Sequence, residues 1–237
     1  MKLKFALIGL LFLSVHMSAQ NYTITYKKEI KYLFSEKITA ADPEMKRMND
    51  AVISEAKNVK YHLKISKNSS SFETGKSVEN NAGLRMAQTI GGTRGEFYQN
   101  KAQQKAINIK TTSGEKFHVT LDDKKWKIHK ETKQIGKYTC YKATGIDVVR
   151  KPNKVNKIPV TVWFCPELPS YFGPAGYFGL PGTILRVEKR MITLYATHIE
   201  ELKETKAIKI PNKGIKVTED KLHEISLNGV PDFGVGN

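Results

Sequence analysis

Residues 160–188, which read VTVWFCPELPSYFGPAGYFGLPGTILRVE, decide the fold of this chain. They begin with an apolar segment at 160–165 that carries large side chains on both faces, which predicts a strand covered on both sides. A loop rich in glycine, proline and aromatic residues follows, and segment 183–188 then alternates like a half-buried strand of an antiparallel sheet. Because solvated aromatic side chains would leave a large apolar area in water, we expect the loop to pack against the sheet.

The apolar side chains of this stretch are also the candidates for a ligand cavity. If the loop borders such a cavity, they would hold a ligand by burying its apolar area rather than by directed chemistry. The alternative is that the same side chains form a solid core. The six candidates are Trp163, Phe164, Phe172, Phe178, Leu180 and Ile184.

The motif Gly179, Leu180, Pro181, Gly182, followed by a strand and preceded by a Val-Trp strand, resembles the signature of the GLPGLI family of exported Gram-negative proteins. Segments 137–143 (KYTCYKA) and 216–220 (KVTED) are also similar to segments of that family. Thr183 departs from the leucine that is usual in the family, but a β-branched residue suits a strand. The family has no established biochemical role, so the resemblance implies export and supplies no catalytic residues.

The N-terminal segment predicts export. Residues 1–19 combine an early pair of lysines, an apolar run at 5–15 and a small-residue end, which is typical of a signal peptide cleaved after Ala19. The apolar run is shorter than the roughly 20 residues of a membrane span, so we expect a mature chain without a transmembrane span, located in the periplasm or secreted. Residues 20–227 then form a single domain, and the Gly/Pro-containing segment 228–237 is a flexible tail.

The chain is basic, with 39 Lys and Arg against 23 Asp and Glu and a formal net charge of +16. The lysines are scattered, and in an exported chain this favours solvation and attraction to anionic envelope components over nucleic-acid binding.

Short alternating segments elsewhere predict an α+β fold that is mostly β. A helix is predicted from Asp42 as N-cap with Pro43 at its first position, and a second from Thr218, whereas residues 75–95 are predicted to be irregular. Strands without alternating helices indicate an antiparallel sheet. We expect a strongly curved sheet with one or two packing helices, as in an unclosed barrel similar to the periplasmic lipoprotein-carrier fold.

The two cysteines, Cys140 and Cys165, fall on neighbouring strands of a predicted hairpin. In an oxidising compartment they could form a disulfide, and the alternative is a pair of buried thiols.

No catalytic motif is present, and His118 and His129, the two histidines that could meet across a hairpin, are more simply read as sheet residues without a role. No catalytic residue, metal or cofactor is therefore predicted. The sequence favours an exported, non-catalytic envelope protein that binds a lipid or other apolar ligand. The alternatives are an accessory protein that docks onto an outer-membrane or secreted complex, and a hydrolase without a recognisable motif.

Overall fold

The computed structural model describes residues 21–75, 82–112, 114–151 and 154–228. The predicted signal peptide lies outside these ranges, as does nearly all of the predicted tail. Among the described residues the elements are, in chain order, β1 (Asn21–Ile30), α1 (Glu36–Ala41), α2 (Pro43–Asn58), β2 (Lys60–Ser66), β3 (Ser69–Thr74), α3 (Ala82–Thr89), β4 (Glu96–Asn100), β5 (Lys105–Thr112), β6 (Glu115–Thr120), β7 (Lys127–Ile135), β8 (Tyr138–Lys151), β9 (Lys154–Cys165), β10 (Thr183–Lys189), β11 (Ile192–Leu202), β12 (Ile215–Thr218) and α4 (Glu219–Asn228).

All of these strands belong to one sheet with the order β12-β6-β5-β4-β3-β2-β1-β11-β10-β9-β8-β7. The β12–β6 pair is parallel, and the other neighbouring pairs are antiparallel. Within the described part of the chain the end strands β12 and β7 do not pair with each other, so the sheet is unclosed. The predicted mostly β fold with an antiparallel, unclosed sheet is therefore confirmed.

The sheet is strongly curved. Side chains of β4 to β6 and side chains of β8 and β9 line one common concavity, although five strands separate β4 from β9 in the sheet order. A sheet brings strands so distant in its order onto one cavity only by curling round, which its natural twist favours. β1 stands near the middle of the order and joins the two arms.

The main core fills the middle of this curve. It combines inward side chains of β1, β2, β3 and β4 with those of β9, β10 and the loop at 166–182. The Tyr61 and Phe72 rings stack at 5.7 Å, and Phe72 meets Phe97 edge-on at 5.9 Å. Burial of one such aromatic side chain stabilises the fold by roughly 3 kcal/mol. The loop lies inside the curve, as its aromatic composition predicts.

Helices α2, α3 and α4 pack buried side chains against the sheet, whereas α1 buries none. Helix α2 begins as predicted, because the Asp42 carboxylate accepts hydrogen bonds from the backbone N–H groups of Glu44 (2.8 Å) and Met45 (3.2 Å). Helix α4 is also confirmed, and it packs Leu222 and Ile225 against β6 and β12. Helix α3 contradicts the prediction of an irregular segment at 75–95, and its C-terminal end is held by a residue of β1 that is described below.

Candidate functional site

The candidate site is a concavity of about 1300 Å³ between the two arms of the sheet. One wall consists of β4 to β6, the opposite wall is the far end of the β8–β9 hairpin, and helix α4 borders one side. The loop residues 175–177 and the turn between β10 and β11 complete it. The side chains that line it include Phe97, Lys110, Val119, Leu121, Lys124, Asp147, Ile158, Tyr177, Lys189, Ile192 and Leu222.

The loop that closes the floor of the concavity is fixed by Gln99 on β4, which is 1% exposed. Its Nε2 donates to the carbonyl oxygens of Gly173 (2.8 Å) and Tyr177 (3.3 Å). Its Oε1 accepts from the Gly173 N–H (3.1 Å) and the Ser70 hydroxyl (3.1 Å). The amide therefore uses its full hydrogen-bonding capacity, and it locks a loop that has little regular structure of its own.

Steric constraints explain why both end positions of the GLPG motif are glycine. Gly179 has a φ of +92°, a backbone conformation that residues with a Cβ rarely adopt. A Cβ at Gly182 would collide with the carbonyl group of Cys165 and lie 2.8 Å from the Pro166 nitrogen. The motif thus lets the end of the loop approach the end of β9 closely.

A largely buried ion cluster lies where the hairpin meets this loop. The Asp147 carboxylate pairs with Lys124 Nζ (3.0 Å) and Lys189 Nζ (2.9 Å), and it accepts a hydrogen bond from the Tyr177 hydroxyl (2.8 Å). Burial alone would raise the pKa of Asp147, but the two ammonium groups and the Tyr177 hydroxyl outweigh it and bring the pKa to about 2. The cluster holds two cations and one anion, so it keeps a net positive charge.

Lys28 on β1 is the most deeply buried cation described, at 1% exposure. Its ammonium group donates to the carbonyl oxygens of Ala87 and Ile90 and to the Thr93 hydroxyl (2.8 Å), so it caps the end of α3. Burial, helped by the charge of Lys189, lowers the pKa of Lys28 to about 7. This contact between β1 and residues about 60 positions away explains why α3 forms where local periodicity is weak.

Lys110 is the cation of the wall that β4 to β6 form. It lies on the concave face of β5, and its Cα partner on β6 is Phe117, over which α4 packs. Among the described residues its ammonium group has no hydrogen bond and no ion pair, although Glu219 at the start of α4 attracts it. Burial lowers the pKa of Lys110, with the charge of Arg94 adding to this and Glu219 opposing it. The fold therefore leaves this ammonium group only partly compensated.

The six side chains predicted to line a cavity lie instead in the main core, each between 0 and 7% exposed, and none of them lines the concavity. They are Trp163, Phe164, Phe172, Phe178, Leu180 and Ile184, and their role in ligand binding stays a prediction. The lining residues of β5 and β8 are not among the residues predicted from the sequence. Alternation identifies the inward side of those strands, but it does not tell whether the inward side is covered.

The two cysteines are both buried and carry free thiols in this structure. Continuing the β8–β9 register by one step beyond the pair Tyr141–Phe164 sets Cys140 opposite Cys165. A hydrogen bond with the Cys165 sulfur, together with burial, raises the pKa of the Cys140 thiol. The strands predicted to carry them are confirmed, and the disulfide stays a prediction.

The two histidines do not meet. His118 hydrogen-bonds to the Lys213 carbonyl oxygen (2.8 Å) and His129 to the Thr144 hydroxyl (2.8 Å). In the described ranges no three His, Cys, Asp or Glu side chains are grouped so that they could hold a metal ion. No helix of these ranges is both long and apolar enough to cross a membrane.

Comparison with known proteins gives a family match for part of the chain and a similar fold in solved structures of PNGF-II. Residues 126–157 and 150–186 match the model of a family described as "Protein of unknown function (Porph_ging)". No curated protein matches the chain. The structure of PNGF-II in space group C2 is similar over 90% of this chain and 33% of that one, with a TM-score of 0.53 and 14% identity. PNGF-II in space group P21 is similar over 87% and 33%, with a TM-score of 0.51 and 13% identity. This chain thus spans about a third of the length of the structures it matches, and at this identity the similarity concerns the fold alone.

Proposed function

We propose that this chain is an exported, non-catalytic protein of the cell envelope that holds a lipid or other apolar ligand in the concavity between its two sheet arms. The volume of about 1300 Å³ carries this proposal. It exceeds the range of roughly 300–1,000 Å³ that is usual for small-molecule sites. Large apolar side chains from several elements face it, among them Phe97, Leu121, Ile192 and Leu222.

Export is part of the proposal. It is supported by the signal-peptide pattern of residues 1–19, by the resemblance to the exported GLPGLI family and by the opposed cysteine pair. In an oxidising envelope the thiols of Cys140 and Cys165 would lose two protons and two electrons to a disulfide oxidant and join as a disulfide. We expect protein from the native host to begin at Gln20 and to have no alkylatable thiol under denaturing conditions. A retained N-terminal segment in that material would contradict export.

Native mass spectrometry of the mature protein from its host tests ligand binding, followed by denaturing extraction of whatever it releases. Ile158→Trp would place an indole in the lining of the concavity, and we expect it to lower the amount of bound ligand. Val155→Trp is the matched control, because Val155 is also on β9 but is 58% exposed and does not line the concavity. A protein mass without adduct in all three samples would refute the proposal.

A second candidate function is docking onto an outer-membrane or secreted complex. The observation that favours it is a group of exposed apolar side chains on one face of the β8–β9 hairpin, namely Ile146, Val148 and Val155. The occurrence of a similar fold within chains about three times as long is consistent with a module that works beside other domains. A photo-crosslinking residue at position 155, compared with one at exposed position 105 on β5, should capture a defined envelope protein only from the first position. Equal capture at both positions would contradict this candidate.

A further inference from the structure

The charges of the concavity are unbalanced. Its lining includes five cations, Lys110, Lys124, Lys157, Lys189 and Arg190, against two carboxylates, Asp147 and Glu219. A cavity that served a neutral apolar ligand alone would have no use for half-buried ammonium groups, because each costs desolvation free energy unless it is paired.

The cations differ in how well the protein compensates them. Lys124 and Lys189 share the Asp147 carboxylate, and Lys189 also donates to the Gly91 carbonyl oxygen (3.2 Å). Lys110 is half-buried, and within the described ranges no carboxylate lies within ion-pairing distance of it. Lys110 is therefore the ammonium group of the wall that can accept an anionic partner without breaking a bond of the fold.

The surroundings of Lys110 combine this charge with apolar surface. In the next row of the same wall, Phe97 and Val119 are the Cα partners of Asn108 on either side of β5. Leu222 on α4 faces the same space. A ligand with an anionic group at Lys110 can thus extend its hydrocarbon part along these side chains without leaving the concavity.

We propose that the concavity takes an anionic amphiphile, whose carboxylate or phosphate pairs with Lys110 and whose apolar chain lies along Phe97, Val119 and Leu222. This inference rests on the proposed function and names the chemical class of its ligand. Part of the positive charge of the chain would then act at the concavity, since Lys110 and the net positive ion cluster attract an anion into the same space.

The test compares two probes that differ only in charge. They are a dodecanoic acid labelled with a nitrobenzoxadiazole fluorophore at the end of its chain and the methyl ester of the same compound, each titrated into the purified mature protein below its critical micelle concentration. We expect the acid to bind about tenfold more tightly than the ester, the gain that one partly desolvated charge pair provides. Lys110→Gln should remove most of this difference, and Lys110→Arg should preserve it.

Lys105→Gln is the control, because it removes one charge from an exposed position of the same strand that does not line the concavity. It should leave the preference for the acid unchanged. Equal binding of acid and ester by the wild-type protein would overturn the inference but leave apolar binding intact. Loss of the preference in Lys105→Gln as large as in Lys110→Gln would assign it to general surface charge and also overturn the inference. Binding of neither probe would refute the proposed function itself.

Discussion

Replacing Gln99 by leucine removes the amide that holds the floor of the concavity while keeping a side chain of similar volume. The change leaves the Gly173 N–H and the Gly173 carbonyl without partners at a site that is 1% exposed. Each buried group left unpaired costs about 1–3 kcal/mol. The Ser70 hydroxyl can rotate, and the bond to the Tyr177 carbonyl is long at 3.3 Å, so neither adds much. After an offset of about 1 kcal/mol for the more apolar leucine, we expect a loss of about 3 kcal/mol in the free energy of unfolding.

Urea unfolding followed by far-UV circular dichroism measures this loss. With a slope of about 2–3 kcal/mol/M for a domain of this size, the midpoint should fall by about 1–1.5 M. Ser70→Ala is the matched control, because it removes one bond to the Gln99 Oε1 and leaves the Gly173 N–H in place, so it should cost only about 1 kcal/mol. Hydrogen exchange at the Gly173 amide should accelerate in the leucine variant alone. A midpoint shift no larger than that of Ser70→Ala would refute the view that the Gln99 amide fixes the loop.

Three further predictions concern buried charge and close packing. The folded pKa of Lys28, about 7, lies below its unfolded value of about 10.4, so the unfolded chain binds more protons between these two pH values. In urea titrations, the stability of the wild type relative to Lys28→Met should therefore rise by up to ~1.4 kcal/mol per pH unit from about pH 7 to 10. A stability difference that stays constant with pH would contradict this. The folded pKa of Asp147, about 2, is below its unfolded value of about 3.9, so the carboxylate should stabilise the fold by about 2 kcal/mol above roughly pH 5, and this contribution should disappear towards pH 2. Acid titration followed by circular dichroism should show the stabilities of the wild type and Asp147→Asn converging as the pH falls. Parallel stability curves would contradict this role of Asp147. Gly182→Ala should lower the free energy of unfolding by about 3 kcal/mol, because the new Cβ meets the β9 backbone. Gly179→Ala is the control: a Cβ there meets no atom within 4 Å, so this variant should lose only about 1 kcal/mol, owing to the positive φ. Equal losses of stability in thermal melts would show that close packing at position 182 is not the cause.

The sequence is sufficient for the fold class because the signals that define it are local. The alternation of short segments, the Asp42 cap of α2 and the aromatic loop at 166–182 each depend on neighbouring residues, and all are confirmed. Helix α3 could not be predicted in this way. Its end is capped by Lys28, a contact between segments about 60 residues apart, and propensity alone is weak there.

The position of the concavity could not be predicted for a related reason. The aromatic density of residues 160–188 marks side chains that the fold buries in the main core, and none of the six predicted there lines the concavity. The lining side chains are less apolar and come from distant strands, such as Lys110 on β5 and Ile158 on β9. Their meeting depends on how far the sheet curls, and no local pattern encodes that curvature.

The charged side chains that line the concavity distinguish it from a core that apolar side chains have left unfilled. The loop at 166–182 fills the middle of the curved sheet with aromatic side chains. Similar apolar side chains could have filled the space between β5 and the far end of the β8–β9 hairpin. That space instead contains Lys110, Lys124 and Lys189 with two carboxylates, Glu219 and Asp147, and Asp147 lies between the last two lysines. Well-packed apolar residues are often as stabilising as buried ion pairs or more so, so folding stability does not account for these charges. A concavity that combines apolar walls with an ammonium group that has no ion pair among the described residues is suited to a ligand that brings its own negative charge.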